Sequence, residues 1–271
     1  MHETSPTVHL IARPSIDLDG MRAYLSDVGG TGWLERRLEG ADGEPNGGEL
    51  LVEFGGRACY RSWEPGLNAN VTRVRADQQA YFENLLRSAH GSVLEHASYS
   101  FALRNVSRVF THELVRHRAG FAYSQLSQRY VDESNAAFVV PPAIIGDEAL
   151  LAQWTAQMET AQATYVALVE KLMERYGWVA DKVHRRKMAR EAARGVLPNS
   201  TETKIVVTAN ARAWRTMLEL RSSEGAEFEI RRMAVMTLRL LQHEAPGFFS
   251  DFELYTAEDR AEAARIGYHK V

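Results

Sequence analysis

The sequence predicts an α+β fold in which a mixed sheet packs against helices. Short segments that alternate apolar and polar residues, as strands do, are interspersed with longer segments in which apolar residues have helical spacing. The two kinds of segment follow no regular strand–helix–strand rhythm, and no glycine fingerprint of a Rossmann unit is present. These observations predict one domain over residues 1–271, with a helical excursion near residues 147–190.

Each predicted element follows from the spacing of apolar residues. Helical spacing predicts helices over residues 19–38, 76–90, 107–118, 147–176, 180–193, 211–220 and 226–244. Alternating or short continuous apolar runs predict strands over residues 8–12, 95–103, 138–140 and 202–208.

The strand over residues 95–103 has one apolar and one polar side. Tyr99 and Phe101 fall on the apolar side, and His96 and Ser98 fall on the other. We therefore expect Tyr99 and Phe101 to be buried, with His96 and Ser98 on the polar face.

The helix over residues 107–118 leads into an unusual segment. Ser107 is expected to cap its N-terminus, because a serine oxygen can accept from a backbone N–H of the first turn. Gly120 can adopt the left-handed conformation that often ends a helix. Residues 121–129 are then predicted to form a functional loop.

Residues 116–130 concentrate side chains that bind anions. The set comprises Arg116, His117, Arg118, Ser124, Gln125, Ser127, Gln128 and Arg129. Arginine presents a flat fork of N–H donors that pairs bidentately with phosphate or carboxylate. The chain has only five lysines, so a general preference for arginine is an alternative explanation of the arginines. That preference does not explain the serines and glutamines, and we interpret the segment as an anion-binding site.

The histidines near this segment do not predict a metal site. A zinc-binding helix needs two histidines four residues apart on one face. His112 and His117 are five apart, which separates their side chains by roughly 140° around a helix. We therefore predict no metal ligand in this chain.

A second group of polar residues follows the predicted strand over residues 202–208. Asn210 and Arg212 begin the next helix and Arg221 follows its end, while Arg194 precedes the strand. Such positions commonly bind ligands. Helix capping by Asn210 and a favourable interaction of Arg221 with the helix dipole are the structural alternatives.

Composition limits the class of protein. The net charge of -3 argues against a general nucleic-acid binder, and no apolar run approaches the length of a membrane span. The N-terminus lacks the features of a signal peptide. The single cysteine, Cys59, excludes an internal disulfide and fits a reducing compartment, so we expect a cytoplasmic protein in which Cys59 is a buried structural thiol.

Taken together, these motifs resemble the flavin-dependent thymidylate synthase family from residue 58 to residue 252. The matching motifs are residues 94–98 (LEHAS), 116–118 (RHR), 127–130 (SQRY), 196–198 (VLP), 210–212 (NAR) and Arg221. Their number and order make the resemblance highly specific. It implies an α+β fold, assembled as a homotetramer whose active sites are shared between subunits.

The resemblance also implies an activity. Members of the family bind FAD, are reduced by NADPH and transfer a methylene group from methylenetetrahydrofolate to C5 of dUMP. The residues expected to contact the flavin are His96, Ser98, Arg116, His117, Arg118, Gln125, Asn210 and Arg212. The residues expected to hold the nucleotide are Arg108, Glu113, Arg116, Ser127, Gln128, Arg129, Arg194 and Arg221. Arg221 is expected to be catalytic, because a permanent cation can stabilise negative charge on the uracil as N3 loses its proton.

This sequence departs from the family pattern at three places. Residues 119–126 place eight residues between the Arg-His-Arg motif and Ser127, where the family usually has seven. Gly225 stands where a histidine is common, and Thr216 replaces a commoner polar neighbour of the flavin. Relatives in nucleoside-antibiotic pathways methylate UMP instead of dUMP, and the longer loop slightly favours UMP here. The alternative function is a non-catalytic nucleotide or nucleic-acid binding protein.

Overall fold

A computed structural model describes residues 5–39, 45–71 and 73–271 of the protein. The chain forms two compact units. The first comprises Met1–His9, Ala102–Arg116 and Tyr123–Val206, and the second comprises Leu10–Phe101, His117–Ala122 and Val207–Val271. The prediction of a single domain over residues 1–271 stays a prediction.

Helices and strands are mixed along the chain. The strands are β1 (Thr7–Ala12), β2 (Ser98–Ser107), β3 (Phe121–Gln125), β4 (Glu202–Asn210), β5 (Phe252–Thr256) and β6 (Glu262–Ile266). The helices are α1 (Leu18–Val28), α2 (Thr31–Leu38), α3 (Gly47–Tyr60), α4 (Gln78–Arg87), α5 (Arg108–Leu114), α6 (Glu148–Arg175), α7 (Lys182–Ala193), α8 (Ala211–Arg221), α9 (Phe228–Glu244) and α10 (Pro246–Phe249). Strands β1 to β4 form one sheet in the order β1-β2-β4-β3, and β5 pairs with β6 in an antiparallel hairpin. The α+β class is therefore confirmed.

Strand β2 largely follows its predicted pattern. Tyr99 and Phe101 are fully buried, and Ser98 is exposed, as the alternation of residues predicts. The predicted start at residue 95 was wrong, because Gly91–His96 forms a short 3₁₀ helix and the strand begins at Ser98.

Glycines explain one error in the predicted helices. The helix predicted over residues 19–38 is two helices, α1 and α2, separated at Gly29 and Gly30. Gly29 has a φ of 75°, in the left-handed region that glycine favours. A Cβ on Gly30 would lie 2.7 Å from a methyl carbon of Leu25, so this close approach also requires glycine.

The region around the predicted functional loop differs from the expectation. Ser107 caps α5 as predicted, since its Oγ accepts from the N–H of Phe110 at 3.0 Å. The helix ends at Leu114, four residues before the predicted end. Residues 121–125 form β3, so the predicted loop is partly a strand.

The first unit contains the predicted helical excursion. Helices α6 and α7 pack together over Glu148–Arg175 and Lys182–Ala193. Asp147 and Asp181 cap their N-termini, each accepting from backbone N–H groups of the first turn. The predicted strand over residues 138–140 is reduced to a single antiparallel bridge between Phe138 and Thr201.

Buried charge stabilises the second unit. Glu53 is fully buried on α3 and accepts hydrogen bonds from Trp33 Nε1 at 3.0 Å, Arg57 Nε at 2.8 Å and Arg37 Nε at 2.8 Å. Burial alone would raise the pKa of Glu53, but the hydrogen bond from Arg37 and the charge of Arg57 outweigh it and lower the pKa. This network fixes α3 against α2.

Cys59 was wrongly predicted to be buried. It is exposed near the C-terminal end of α3.

No helix within residues 5–39, 45–71 and 73–271 combines the length and apolar character needed to cross a membrane.

Candidate functional site

The predicted site residues divide between the two units. The second unit contains Arg221, the predicted catalytic residue. It also contains all the predicted flavin residues except Arg116 and Gln125, namely His96, Ser98, His117, Arg118, Asn210 and Arg212. The first unit contains Arg108, Glu113, Arg116, Gln125, Ser127, Gln128, Arg129 and Arg194, which include the other predicted nucleotide residues.

A cleft of about 550 Å³ in the second unit brings four predicted flavin residues together. Its walls include His117, Arg118, Asn210 and Arg212. Phe121 adds an aromatic ring to the same wall. The cleft therefore offers cationic donors, an amide and flat rings within one concave surface, as a flavin nucleotide would require.

Gly120 allows the Arg118 segment to approach helix α8. Its φ is 74°, and a Cβ there would lie 2.8 Å from Asn210 Nδ2 and 2.9 Å from Ala213 Cβ. Asn210 caps α8, because its Oδ1 accepts from the N–H of Ala213 at 2.8 Å. Helix capping, the structural alternative considered for Asn210, is therefore observed. The side-chain nitrogen of Asn210 also faces Gly120 in the wall of the cleft.

Arg212 is held at two points. Its Nη1 lies 2.6 Å from Glu95 Oε1, and its Nε donates to the carbonyl of Val271 at 3.3 Å. The side chain nevertheless remains 41% exposed. A fixed and partly exposed guanidinium can bind an anion with little loss of conformational entropy.

Arg221 contacts His117 directly. The Nε–H of Arg221 donates to Nε2 of His117 at 3.0 Å. Since a guanidinium only donates hydrogen bonds, Nε2 carries no proton and the neutral ring has its proton on Nδ1. Burial, together with the nearby charge of Arg221, lowers the pKa of His117 to about 4. The predicted catalytic arginine is therefore oriented by a residue that lines this cleft.

An aromatic chain supports this part of the cleft. The ring of His117 lies 6.1 Å from that of Phe121, and Phe121 packs edge-to-face on Trp214 at 5.2 Å. Trp214 in turn contacts Phe101 of β2 at 5.1 Å. Because Phe101 and Trp214 are buried, the position of His117 is coupled to the core of the second unit.

His96 and Ser98 are exposed and are not among the residues that line the cleft. The His96 ring packs against Gly55 of α3, where a Cβ would lie 3.0 Å from the ring carbon Cδ2. No spacing rule could predict that Gly55 supports His96, since the two residues are distant in the chain.

The serine and glutamine residues of the first unit form a tight turn and its support. The carbonyl of Ser127 accepts from the N–H groups of Tyr130 and Val131 at 3.1 and 3.0 Å. Gln125 Nε2 donates to Thr111 Oγ1 at 3.2 Å. Arg129 forms an ion pair with Glu191 of α7 at 2.7 Å. Residues 125–131 are thus anchored to α5 and α7.

Arg108 and Arg194 lie close enough for their charges to interact. Burial lowers the pKa of Arg108, and the positive charge of Arg194 lowers it further. The negative charge of Glu133 has the opposite effect and raises it. Glu133 is buried, and the sequence analysis did not identify it, because no motif distinguishes it from the neighbouring acid Asp132.

His112 and His117 do not share a helix. Helix α5 ends at Leu114, so His112 lies in the helix and His117 lies beyond it. In the part of the chain that the structure describes, no group of three or more His, Cys, Asp or Glu is placed to hold a metal ion.

The sequence is similar to one family of proteins along most of its length. Residues 44–247 match the family described as thymidylate synthase complementing protein. Proteins named flavin-dependent thymidylate synthase are identical to this chain at nearly half of the aligned positions. The one from Mycobacteroides abscessus is 47% identical over 221 residues, which cover 82% of this chain and 86% of that protein.

Two further relatives carry the same name. The protein from Mycolicibacterium gilvum is 49% identical over 224 residues, and that from Mycobacterium tuberculosis is 48% identical over 221 residues. Each alignment covers 82% of this chain and 86% of the relative. The chain therefore belongs to the flavin-dependent thymidylate synthase family.

Proposed function

We propose that the protein is an enzyme that methylates C5 of the uracil in a uridine monophosphate nucleotide. The one-carbon donor is methylenetetrahydrofolate, the cofactor is FAD, and the product is 5-methyl-UMP or dTMP. The observation that carries this proposal is the hydrogen bond of Arg221 to His117, in the wall of a cleft that also gathers Arg118, Asn210 and Arg212. The names of the relatives support the same activity.

The cleft has the chemistry that FAD requires. FAD joins a flat ring system to a doubly charged pyrophosphate. Arg118 and Arg212 offer donors for the phosphate oxygens, and the rings of His117 and Phe121 offer flat surfaces. Asn210 adds an amide that can bond to polar atoms of the ring or sugar. Arg116, Gln125, His96 and Ser98 are further flavin residues under this proposal.

Several residues that are proposed to bind the nucleotide carry a positive charge, which attracts its phosphate. Arg108, Arg129 and Arg194 provide guanidinium donors, and Ser127 and Gln128 provide neutral hydrogen-bonding groups. Glu113 and Arg116 are the other members of the set carried over from the family.

Arg221 acts on the uracil. Its permanent charge stabilises the negative charge that develops as N3 loses its proton, which makes C5 more nucleophilic. The hydrogen bond to neutral His117 fixes the plane of the guanidinium before the substrate arrives. C5 would then bond to the methylene carbon of the folate, the bonds from that carbon to the folate nitrogens would break, and C5 would lose its own proton. FAD held by the cleft residues and reduced by NADPH would supply the hydride that completes the methyl group.

The sugar of the substrate is proposed to be ribose. Gly120 packs against Asn210 and Ala213, which fixes the lengthened loop at its first turn. The segment 119–126 is one residue longer than is usual in the family, and we infer that this longer loop forms a different wall around the sugar. Membership of the family supports the alternative substrate, dUMP, whose sugar is deoxyribose. It also supports a homotetramer with shared active sites in the cytoplasm.

Product analysis tests the proposed function. The purified protein should be yellow, or become yellow when FAD is added. With reduced FAD and methylenetetrahydrofolate, we expect UMP to yield 5-methyl-UMP faster than dUMP yields dTMP. A faster reaction of dUMP would overturn the sugar assignment alone. Absence of flavin uptake, combined with salt-sensitive affinity for RNA, would favour the non-catalytic binding protein.

A further inference from the structure

The turn that follows Arg221 is tied to the β5–β6 hairpin. Arg221 is the last residue of α8, and residues 222–226 lead from it toward α9. The N–H of Ser222 donates to the carbonyl of Leu218 at 2.9 Å, and its own carbonyl accepts from the N–H of Ala264 in β6 at 2.8 Å. Ser222 therefore connects the end of α8 to β6.

Glu224 makes a second connection between this turn and the hairpin. Its Oε1 accepts from the backbone N–H of Glu258 at 3.0 Å, and its Oε2 accepts from the hydroxyl of Tyr255 at 3.4 Å. At Gly225, by contrast, a Cβ would meet open space in the part of the chain that the structure describes. The turn is thus held by Glu224 and by its backbone, with no side chain at position 225.

Arg231 binds both the turn and the hairpin. It lies in the first turn of α9 and is only 2% exposed. Its Nη1 donates to the carbonyl of Glu224 at 2.9 Å, and its Nη2 donates to the carboxylate of Asp259, which lies between β5 and β6. The guanidinium also lies over the ring of Phe228, 5.7 Å from its centroid. One side chain therefore joins α9, the turn after Arg221 and the hairpin.

Stability alone does not account for a buried arginine at this position. A buried charged group often contributes no more to stability than an apolar residue of similar volume, because removing the charge from water is costly. What a guanidinium adds is geometry, since its rigid fork of donors fixes two acceptors relative to each other. Here the two acceptors are the carbonyl of Glu224 and the carboxylate of Asp259. The arrangement therefore fixes the position of the turn.

We propose that Arg231 is a positioning residue for Arg221, because it holds the turn that fixes the end of α8. The ends of helices fray when nothing holds them. A shift of about 1 Å at the end of α8 would break the 3.0 Å hydrogen bond between Arg221 and His117. The inference rests on the proposed function, since it takes Arg221 as the residue that acts on the uracil.

The substitution Arg231→Met in the FAD-loaded protein tests this role. Methionine fills a similar volume without the charge, and the carboxylate of Asp259, 49% exposed, stays solvated after its partner is lost. We expect kcat with the faster of UMP and dUMP to fall about tenfold to a hundredfold, since a misplacement of about 1 Å can cost about a hundredfold. KM should change less than kcat. In an Arg221→Ala background, the same substitution should cause no further loss.

Two measurements on the protein without substrate report on position and not on activity. Hydrogen exchange of the backbone amides over residues 222–226 should be faster in Arg231→Met, because the turn opens more often. NMR of the ring nitrogens of His117 should show the proton on Nδ1 in the wild-type protein and a mixture of the two neutral forms in the variant. The mixture is expected because a displaced Arg221 no longer donates to Nε2.

Arg239→Met is the matched control. Arg239 lies about two turns further along α9, and its Nη1 donates to Glu262 Oε2 of the same hairpin at 2.8 Å. Within the described part of the chain, it makes no hydrogen bond to residues 222–226. This variant should keep the wild-type kcat, amide exchange and His117 ring. Arg231→Lys, which keeps the charge and a donor, should recover part of the kcat that Arg231→Met loses.

A second variant covers the case in which Arg231→Met fails to fold. Asp259→Asn removes the charge of the partner, while the amide oxygen can still accept from Arg231. That variant should show a smaller loss of kcat of the same kind, with faster exchange of the same amides.

Several outcomes would overturn the inference. They are an unchanged kcat in the folded variant, an equal loss of kcat in Arg239→Met, turn amides that exchange at the wild-type rate, a His117 ring that keeps its proton on Nδ1, or an additive loss in the Arg221→Ala background. A wild-type protein that methylates neither UMP nor dUMP would instead refute the proposed function. Amide exchange and the state of the His117 ring need no substrate, so the two failures are distinguishable.

Discussion

Replacement of Arg221 by alanine is expected to lower the rate of uracil methylation by about a hundredfold to a thousandfold, with the fold retained. This is the range observed when an enzyme loses one preorganised donor to a developing negative charge. The guanidinium is oriented by its hydrogen bond to His117 before the substrate binds. The measurement is kcat with UMP and dUMP, together with the thermal unfolding midpoint.

Arg87→Ala is the matched control for Arg221→Ala. Both arginines lie in the last turn of a helix, and Arg87 is 62% exposed on α4. If Arg221 served only as a partner of the helix dipole, the two variants would behave alike. Comparable activity of Arg221→Ala and Arg87→Ala would contradict the catalytic role. Arg221→Lys should also be strongly impaired, because an ammonium group cannot reproduce the planar fork.

Replacement of Glu53 by alanine is expected to destabilise the protein by about 3–5 kcal/mol, the typical cost of leaving a buried charge without its partner. Arg57, 1% exposed, would lose its carboxylate, and Trp33 would lose the acceptor of its indole N–H. Scanning calorimetry should show the unfolding midpoint lowered by roughly 10 °C, given the usual relation for a chain of this size.

Glu83→Ala provides the comparison for Glu53→Ala. Glu83 pairs with Arg87 at the same i, i+4 spacing as Glu53 with Arg57, but its side chain is 52% exposed. An exposed pair contributes about 0–1 kcal/mol, so this variant should unfold close to the wild-type midpoint. Equal midpoints for the two variants would show that the buried network does not stabilise α3.

The elements that were predicted well are those in which the spacing of apolar residues follows one period, either that of a strand or that of a helix. The alternation in β2 and the long apolar spacing in α6 needed no tertiary information. Helix α3 was missed because it buries charged residues, Glu53 and Arg57, at positions where an amphipathic pattern requires apolar ones. The antiparallel hairpin of β5 and β6 was also missed.

The site was predictable in its residue types but not in its contacts. The motifs identified Arg118, Asn210 and Arg212, which the structure brings to one cleft. The bond between His117 and Arg221 joins residues 104 positions apart, and no spacing rule connects them. The exposure of Cys59 likewise depends on where α3 ends.

We propose that a uridine nucleotide binds against a flavin in a site that contains Arg221. The most direct measurement is a titration of the FAD-loaded protein with UMP or dUMP, followed by the visible absorption spectrum of the flavin. A saturable spectral change is expected in the wild-type protein, and it should be weakened in Arg221→Ala and retained in Arg87→Ala. Nucleotide binding that leaves the flavin spectrum unchanged in the wild-type protein would contradict the claim.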